Sequence, residues 1–427
     1  MSAIKIDQVK ISIIMPVHNS GKYLEEALET IFNQTFQEFE LICVDDASSD
    51  PLTIHILEEY LKVYRNMQVI KLQNNLGAGE ARNAGFLKAQ GEYTIFLDAD
   101  DLFAENFLEE MYQCITRNHA DVCVCGYQVL CMENTKKRFG GKYLPEEDKI
   151  NGNEREDWLL NIPTSAWNKL CRTEFLRKYS LYFQPLASCN DVFFSCMVMI
   201  KAVKRCCVED QALVFYRMNT KTQISSNTNP LDLYKAIILV IENTGDNNNL
   251  LLRQLSVLLV RNGLQEINKC SYENNNRLFY DSLSRFFTNH AVNFQNRMLK
   301  VCVERVQKLP YDRKWISDCM DFLYQLRLTA EKLKKDSAGE EKLFLWGLGY
   351  RGTVFQQVCN EANIYLRGVT DIKNCNIGGR TDYGNRIFST EDVLKSGGLI
   401  IASNETIYQY LSKRNLKLLN LENYFLF

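Results

Sequence analysis

Histidine is scarce in this chain of 427 residues: His18, His55, His119 and His290 are the only four, too scattered to build a histidine-based metal site. No run of about 18 uninterrupted apolar residues occurs, so no spanning helix is expected. No G-x-S-x-G elbow is present, which leaves a hydrolase triad without support. Neither charge sign is in excess, with 50 Lys and Arg against 52 Asp and Glu, so nothing marks an overall nucleic-acid binder. The N-terminus MSAIKIDQVKISIIMPV lacks a small-residue cleavage site, and its short apolar run reads as a strand rather than a signal peptide. The 15 cysteines contain no C-x-x-C pair and are spread along the chain. That excludes a dense disulfide framework and suits free thiols in a reducing cytoplasm. The closest pairs, Cys123-x-Cys125 and Cys206-Cys207, sit in strand-like apolar runs and read as buried small hydrophobes rather than zinc ligands.

What is present is a globular balance, 46% hydrophobic and 24% charged, on a chain long enough for two or three domains. The first part alternates strand and helix patterns. Ile11–Val17 is a compact apolar run, and Leu24, Ala27, Leu28, Ile31 and Phe32 follow at helical spacing after Asn19 and Ser20. Strands are expected over Phe39–Val44, Met67–Leu72, Tyr93–Leu97 and Asp121–Val129. Helices are expected after Pro51, over Gly79–Ala89 and through Phe107–Ile115. This order implies an α/β fold with a mostly parallel sheet covered on both faces, and a ligand beyond the carboxyl ends of its strands. Two more helices are expected, Ser165–Tyr179 and Asp191–Val203, then a strand running to Tyr216. Residues 231–338 read as a helical module, as in Leu250–Ile267 and Trp315–Leu333, and Lys332–Glu341 reads as a linker. The expected division is 1–230, 231–338 and 339–427.

Acidic residues fall where such a sheet presents its ligand: Asp45-Asp46, Asp98-Ala99-Asp100-Asp101, and Asp191 at a helix start. Any one of them alone reads equally as a turn or helix cap. Crowding Asp98, Asp100 and Asp101 is costly unless a cation or solvent offsets it. A D-x-D after a buried strand suits a hard divalent ion shared with substrate phosphates, an arrangement that serves a diphosphate leaving group.

The ordered set IIMPVHN (13–19), VDDASSD (44–50), GAGEARNAG (77–85), FLDADD (96–101), WNKL (167–170), ND-x-x-F (190–194) and FYR (215–217) resembles family 2 glycosyltransferases of the GT-A fold. The resemblance covers about residues 9–228 and implies a nucleotide-sugar donor, often UDP-linked. It implies that Pro16, His18 and Asn19 belong to the nucleotide pocket, with Asp46 accepting a hydrogen bond from the base. Arg82 would face the diphosphate or sugar. Asp98 would hold the ribose and, with Asp100, a Mg²⁺ or Mn²⁺ ion. Asp191 matches the general base of an inverting displacement. Trp167, Lys169 and Arg217 resemble site-lining positions. The plainer alternatives are a solvated helix arginine for Arg82, a cap of the next helix for Asp101, and packing or surface roles for Trp167 and Lys169.

The sequence departs from the family pattern at His18 (often Tyr), Ala47 (usually Gly), Asn190 (often Glu) and Asn219 (often basic or His). Asn190 puts in doubt whether Asp191 is the whole proton-transfer machinery, and Asn219 puts one donor-phosphate contact in doubt. The rival classes are a nucleotidyltransferase, which would need a Gly-rich basic loop where PVHNSGKYL stands, and a non-catalytic nucleotide-sugar sensor.

Near the C-terminus, Lys342–Trp346 reads as a strand followed by Gly347-x-Gly349-x-x-Gly352 and a helix through Val354, Phe355 and Val358. Ile364–Val369 is a second strand ending near Asp371, and Leu399–Ser403 a later one. This is a dinucleotide fingerprint in its proper setting. The segment resembles small Rossmann-like domains that bind NAD(P) or a nucleotide, and it reads equally as a docking domain without ligand. Expected partners are the donor and a glycan or lipid-linked acceptor, with no nucleic acid. The helical module is compatible with a peripheral contact at the inner membrane face, with homodimerisation, or with packing on the catalytic domain.

Overall fold

In a computed structural model of the chain, the first apolar run forms β1 (Ile11–Val17), with every residue but Pro16 buried. The structure describes residues 9–133, 136–145, 163–202, 205–218, 229–244, 249–290, 292 and 297–317. Toward the C-terminus it describes 343–346, 355–356, 359, 366–370, 381, 385–397, 399–402, 410–414 and 418–420. β2 (Phe39–Asp45) is buried throughout, as is β4 (Tyr93–Phe96). Continuous apolar runs of this kind suit strands covered on both faces. β1 pairs in parallel with β2 and β4, and β2 pairs with β3 (Met67–Lys71).

The crossovers are helices α1 (Lys22–Phe32), α2 (Pro51–Val63) and α3 (Ala78–Phe86). Asp50 caps α2 by accepting from the Thr53 amide at 2.9 Å. α3 lies unusually close to the sheet. A Cβ on Gly85 would stand 2.5 Å from Ile14 Cγ2, so only glycine lets the helix settle there.

The far half of the sheet is built differently. It comprises β5 (Leu102–Phe103), α4 (Phe107–Arg117), β6 (Val122–Glu133), β7 (Lys136–Tyr143), β8 (Lys169–Arg172), α5 (Thr173–Lys178), α6 (Asn190–Lys201) and β9 (Cys206–Met218). The strand order is β3-β2-β1-β4-β8-β6-β9-β5, with β7 on β6. β8 runs antiparallel to both β4 and β6, β6 is parallel to β9, and β5 is antiparallel to β9. The sheet is therefore mixed rather than mostly parallel, because β8 fills the gap between two parallel groups. This also corrects the single helix expected over Ser165–Tyr179. Its apolar spacing fits β8 plus the short α5 as well as one helix, and pairing with two strand edges decides for the strand.

Among the described residues, helices α7 (Pro230–Thr244), α8 (Asn249–Lys269), α9 (Glu273–Asn289) and α10 (Arg297–Lys308) follow. The boundary expected at 230 falls at the start of α7, and hydrogen bonds cross it. Buried Asp232 on α7 accepts from the amide and the hydroxyl of Ser188, at 3.3 and 3.2 Å, just before α6. Apolar α7 residues such as Leu233, Ala236, Ile237 and Val240 are buried. The first compact unit thus runs from Met1 to Phe294 and takes in Val303–Tyr311. Among the described residues no helix is long and apolar enough to cross a membrane.

The second unit comprises Gln295–Cys302 and Asp312–Phe427. Its described elements are β10 (Leu343–Trp346), β11 (Gly368–Thr370), α11 (Thr390–Lys395), β12 (Leu399–Ala402) and β13 (Leu418–Asn420). All pairings are parallel, in the order β11-β10-β12-β13. Sheet growth reverses at β10, the topology that makes a switch point in open α/β sheets. Gly347, Gly349, Gly352 and Asp371, the expected NAD(P) or nucleotide contacts, lie outside the described residues, as do Asn219, the linker at 332–341 and most of Trp315–Leu333.

Candidate active site

A cleft of about 990 Å³ opens in the first unit at the carboxyl ends of β1, β2 and β4. Its first end is built by Pro16, Val17 and His18 leaving β1 and by the turn at 75–78. His18 Nδ1 donates to the Asp46 carbonyl at 2.7 Å, which leaves Nε2 to accept from the side-chain amides of Asn19 and Asn75 at 3.0 and 3.1 Å. These contacts fix the orientation of the ring. Asp46 is buried, and its two carboxylate oxygens accept from the amides of Leu76 at 2.7 Å and Gly77 at 2.8 Å. Gly77 supports that turn at φ 89°, a conformation that glycine adopts freely. Each Asp46 oxygen keeps a second lone pair. Asn19 does not reach the cleft wall. At φ 48° its side-chain oxygen accepts from the amides of Ser49 and Asp50, both at 2.8 Å, so it fixes the loop after β2.

The middle of the cleft holds the acidic cluster and a buried arginine. Arg82, on α3, is 6% exposed. Its guanidinium donates to Asp98 at 2.5 Å and to the side-chain oxygen of Asn190 at 2.9 Å, and it lies over the Phe183 ring at 5.1 Å. The solvated-arginine alternative does not hold. Carboxylate oxygens of Asp98, Asp100 and Asp101 lie within 4.8 Å of one another. Burial first, then the charge of Asp98, pushes the Asp100 carboxyl up to about 6. Asp101 is pushed well up by burial and by its two acidic neighbours. One Asp101 oxygen accepts from the Arg217 amide at 2.8 Å, and the other is buried without a partner. Asp101 therefore does not cap α4, which starts at Phe107.

This donor set fits a hard divalent cation: three carboxylates converge, Arg82 and Arg217 offset their mutual repulsion only in part, and a buried oxygen is unsatisfied. Asp101 thus joins Asp98 and Asp100 as a candidate ligand. Arg217, expected to line the site, stands behind it, fully buried. Its Nε donates to the Asp100 carbonyl at 2.6 Å and its Nη2 to Glu26 at 3.1 Å, bracing the acidic loop against α1. A second cluster, Cys114, Cys123 and Cys207, brings three thiols together in the core, and none of the three lines the cleft.

Asp191 lines the cleft from the first turn of α6, which follows Cys189 at φ 53°. Burial raises its carboxyl to about 6, against the pull of Arg82. Trp167 also lines the cleft, stacked on Tyr216 at 5.4 Å and edge-on to Tyr127 at 5.0 Å. Lys169 does not line it. Fully buried, it donates to the carbonyls of Pro163 at 2.7 Å and Ser165 at 2.6 Å and to the Asn168 side chain at 3.0 Å. Its role is to hold the 163–165 stretch that forms part of the wall, and burial lowers its ammonium to about 8. Lys169→Met should strand three acceptors and cost about 3 kcal/mol of folding stability. Denaturant unfolding followed by tryptophan fluorescence reads this as a lower midpoint.

Asn190 stood in the ND-x-x-F motif as a departure from the family pattern, and it is the second partner of Arg82. Tyr216 stood in the FYR motif without a role, and Asn75, which carried no signal in the sequence, enters through its neighbours in space. Asn262, Gln265 and Glu266 arrive from α8, an ordinary amphipathic helix.

Comparison with known proteins places this geometry. The family described as Glycosyl transferase family 2 matches residues 12–179. Glycosyltransferase GlyG of Streptococcus pneumoniae is 38% identical over 157 residues, 35% of this chain and 52% of that protein. The poly(ribitol-phosphate) beta-N-acetylglucosaminyltransferase TarS of Staphylococcus aureus is 30% identical over 240 residues, 54% of this chain and 40% of that protein. The chain thus spans about half the length, or less, of these curated relatives. The crystal structure of S. aureus TarS 1-349 in complex with UDP-GlcNAc superposes with a TM-score of 0.58 at 23% identity, covering 70% of this chain and 91% of that one. That likeness shows the GT-A fold.

Proposed function

Because residues 12–179 match the model of glycosyl transferase family 2, we propose that the protein is an inverting glycosyltransferase. It moves a sugar from a nucleoside diphosphate donor, a UDP-sugar, to a hydroxyl of a glycan or lipid-linked acceptor in cell-wall or surface-polysaccharide synthesis. One observation carries this reading. The buried Arg82 guanidinium ties Asp98 of the acidic cluster to Asn190, the neighbour of Asp191. A diphosphate site and a base are thereby held in fixed relation across one cleft. TarS, the relative solved with UDP-GlcNAc, supports uracil as the base of the donor.

On this reading the nucleotide lies at the Pro16, His18 and Asp46 end, and its diphosphate faces Arg82 and the acidic cluster. Mg²⁺ or Mn²⁺ held by Asp100 with Asp98 and Asp101 would neutralise charge on the departing diphosphate. Asp191 takes the proton of the acceptor hydroxyl as its oxygen bonds to the anomeric carbon. The bond from that carbon to the diphosphate breaks on the opposite side, so the configuration inverts once. Asn190 positions Arg82 and carries no proton itself. We place the reaction in the cytoplasm, at the inner membrane face when the acceptor is lipid-linked, where the free thiols stay reduced.

The test is product identity with a pH profile. With Mn²⁺ and a UDP-sugar the protein should release UDP and no pyrophosphate. Asp191 must be unprotonated to act, and its carboxyl titrates at about 6. The transfer rate should therefore climb about tenfold per pH unit below that value and level off above it. Release of pyrophosphate, or no release from UDP-, GDP-, dTDP- and CDP-sugars alike, would overturn the reading.

A further inference from the structure

Outside the cleft, ligand atoms of another kind converge. Cys123 on β6 and Cys207 on β9 are register partners on parallel neighbours, so their side chains leave the same face of the sheet. Cys114, in the last turn of α4, meets them there. The three sulfur atoms lie within 4.8 Å of one another, with Cys114 Sγ 3.5 Å from Cys207 Sγ, and all three residues are buried. A fourth sulfur adjoins them, because the Cys123 thiol donates to the Met111 thioether at 3.8 Å. The Asn118 side-chain amide donates to Cys114 Sγ at 3.7 Å and orients it. Hydrogen bonds shared with Cys123 and Cys207, aided by the charge of Arg117, hold the Cys114 thiol below its usual range against the effect of burial.

We propose that Cys114, Cys123 and Cys207 bind a soft monovalent cation, Cu⁺, with the Met111 thioether as a fourth, weaker ligand. Three thiolates each about 2.3 Å from one ion stand about 4 Å apart, so the sulfurs need little movement to close on it. A structural Zn²⁺ takes four Cys, His or carboxylate ligands. Among the described residues the group has three cysteines, and no histidine or carboxylate joins them. Thiolates beside a thioether suit Cu⁺ instead. Binding exchanges the ion for thiol protons, which leave to solvent. The site is remote from transfer chemistry. β8 is antiparallel to both β4 and β6, so β6 runs parallel to β4, and its early residue Cys123 lies toward the end of the sheet away from the cleft. Tyr127, which lines the cleft, comes four residues later on β6, about 13 Å along the strand. The copper ion thus fastens α4 to β6 and β9, whatever sugar the cleft handles.

The reduced full chain, kept free of oxygen, should withdraw about one equivalent of Cu⁺ from the chelator bicinchoninate. X-ray absorption at the copper edge should show sulfur neighbours alone. The melting temperature should rise by several degrees, because the ion binds the folded state. Cys114→Ala and Cys207→Ala should lose both the uptake and the shift. Cys196→Ala, which removes a buried thiol outside the group, should keep both. Met111→Leu conserves volume and leaves the three thiols in place, so it reads the site even where a cysteine variant fails to fold; its Cu⁺ affinity should fall about tenfold. Copper left on the chelator by the wild type would overturn the site. So would unchanged affinity in Met111→Leu, undiminished uptake by folded Cys114→Ala or Cys207→Ala, or a Zn²⁺ complex formed in preference to Cu⁺.

Discussion

Asp191→Asn should lower the rate of sugar transfer by about 10²–10⁴-fold while leaving UDP-sugar binding within about twofold. Asparagine matches aspartate in size and suits the first turn of α6. The Arg82–Asn190 contact does not involve the Asp191 side chain, so the guanidinium keeps its place. What the variant lacks is a group able to hold the acceptor's proton. Initial rates at saturating acceptor, paired with calorimetric titration of the donor, separate the two quantities. A variant that transfers at the wild-type rate would take the base role away from Asp191.

Asp100→Ala should abolish the Mn²⁺-dependent part of nucleotide binding without weakening the fold. Arg217 binds the Asp100 backbone carbonyl rather than its carboxylate, so the brace behind the loop survives the substitution. The variant also removes one charge from a cluster in which burial and Asp98 already disfavour ionisation at Asp100. The ligand-free melting temperature should therefore hold steady or rise. In the wild type, UDP with Mn²⁺ at about 100 times its Kd should stabilise by about 2.7 kcal/mol, a shift of several degrees. In the variant that shift should shrink to the value given by UDP alone. A full Mn²⁺-dependent shift in the variant would place the cation elsewhere.

The sequence displays the sheet's parallel half clearly because each strand there is a short apolar run bracketed by capping or turn residues. Ile11–Val17 and Phe39–Asp45 need no partner to be recognised. β8 was hidden because Trp167, Leu170, Cys171, Phe175 and Leu176 satisfy two periods at once. The acidic residues were legible as chemistry, but their partners were not. Lysine is seldom buried, so nothing local marks Lys169 as a clamp on two carbonyls, or Arg217 as a brace facing away from the ligand. Asn262 and Gln265 belong to a helix whose pattern reports only which face is apolar. Likewise, Cys114, Cys123 and Cys207 meet only because α4, β6 and β9 are packed together.

The two ends of the cleft are encoded far apart, one within residues 16–101 and the other reaching to Glu266, although Ser188 and Asp232 lock the intervening helices into one core. The match to the family model ends at 179, while the first unit continues to Phe294. A substitution on α8 can therefore alter one wall of the cleft without touching the loops after β1, β2 and β4 that build the other.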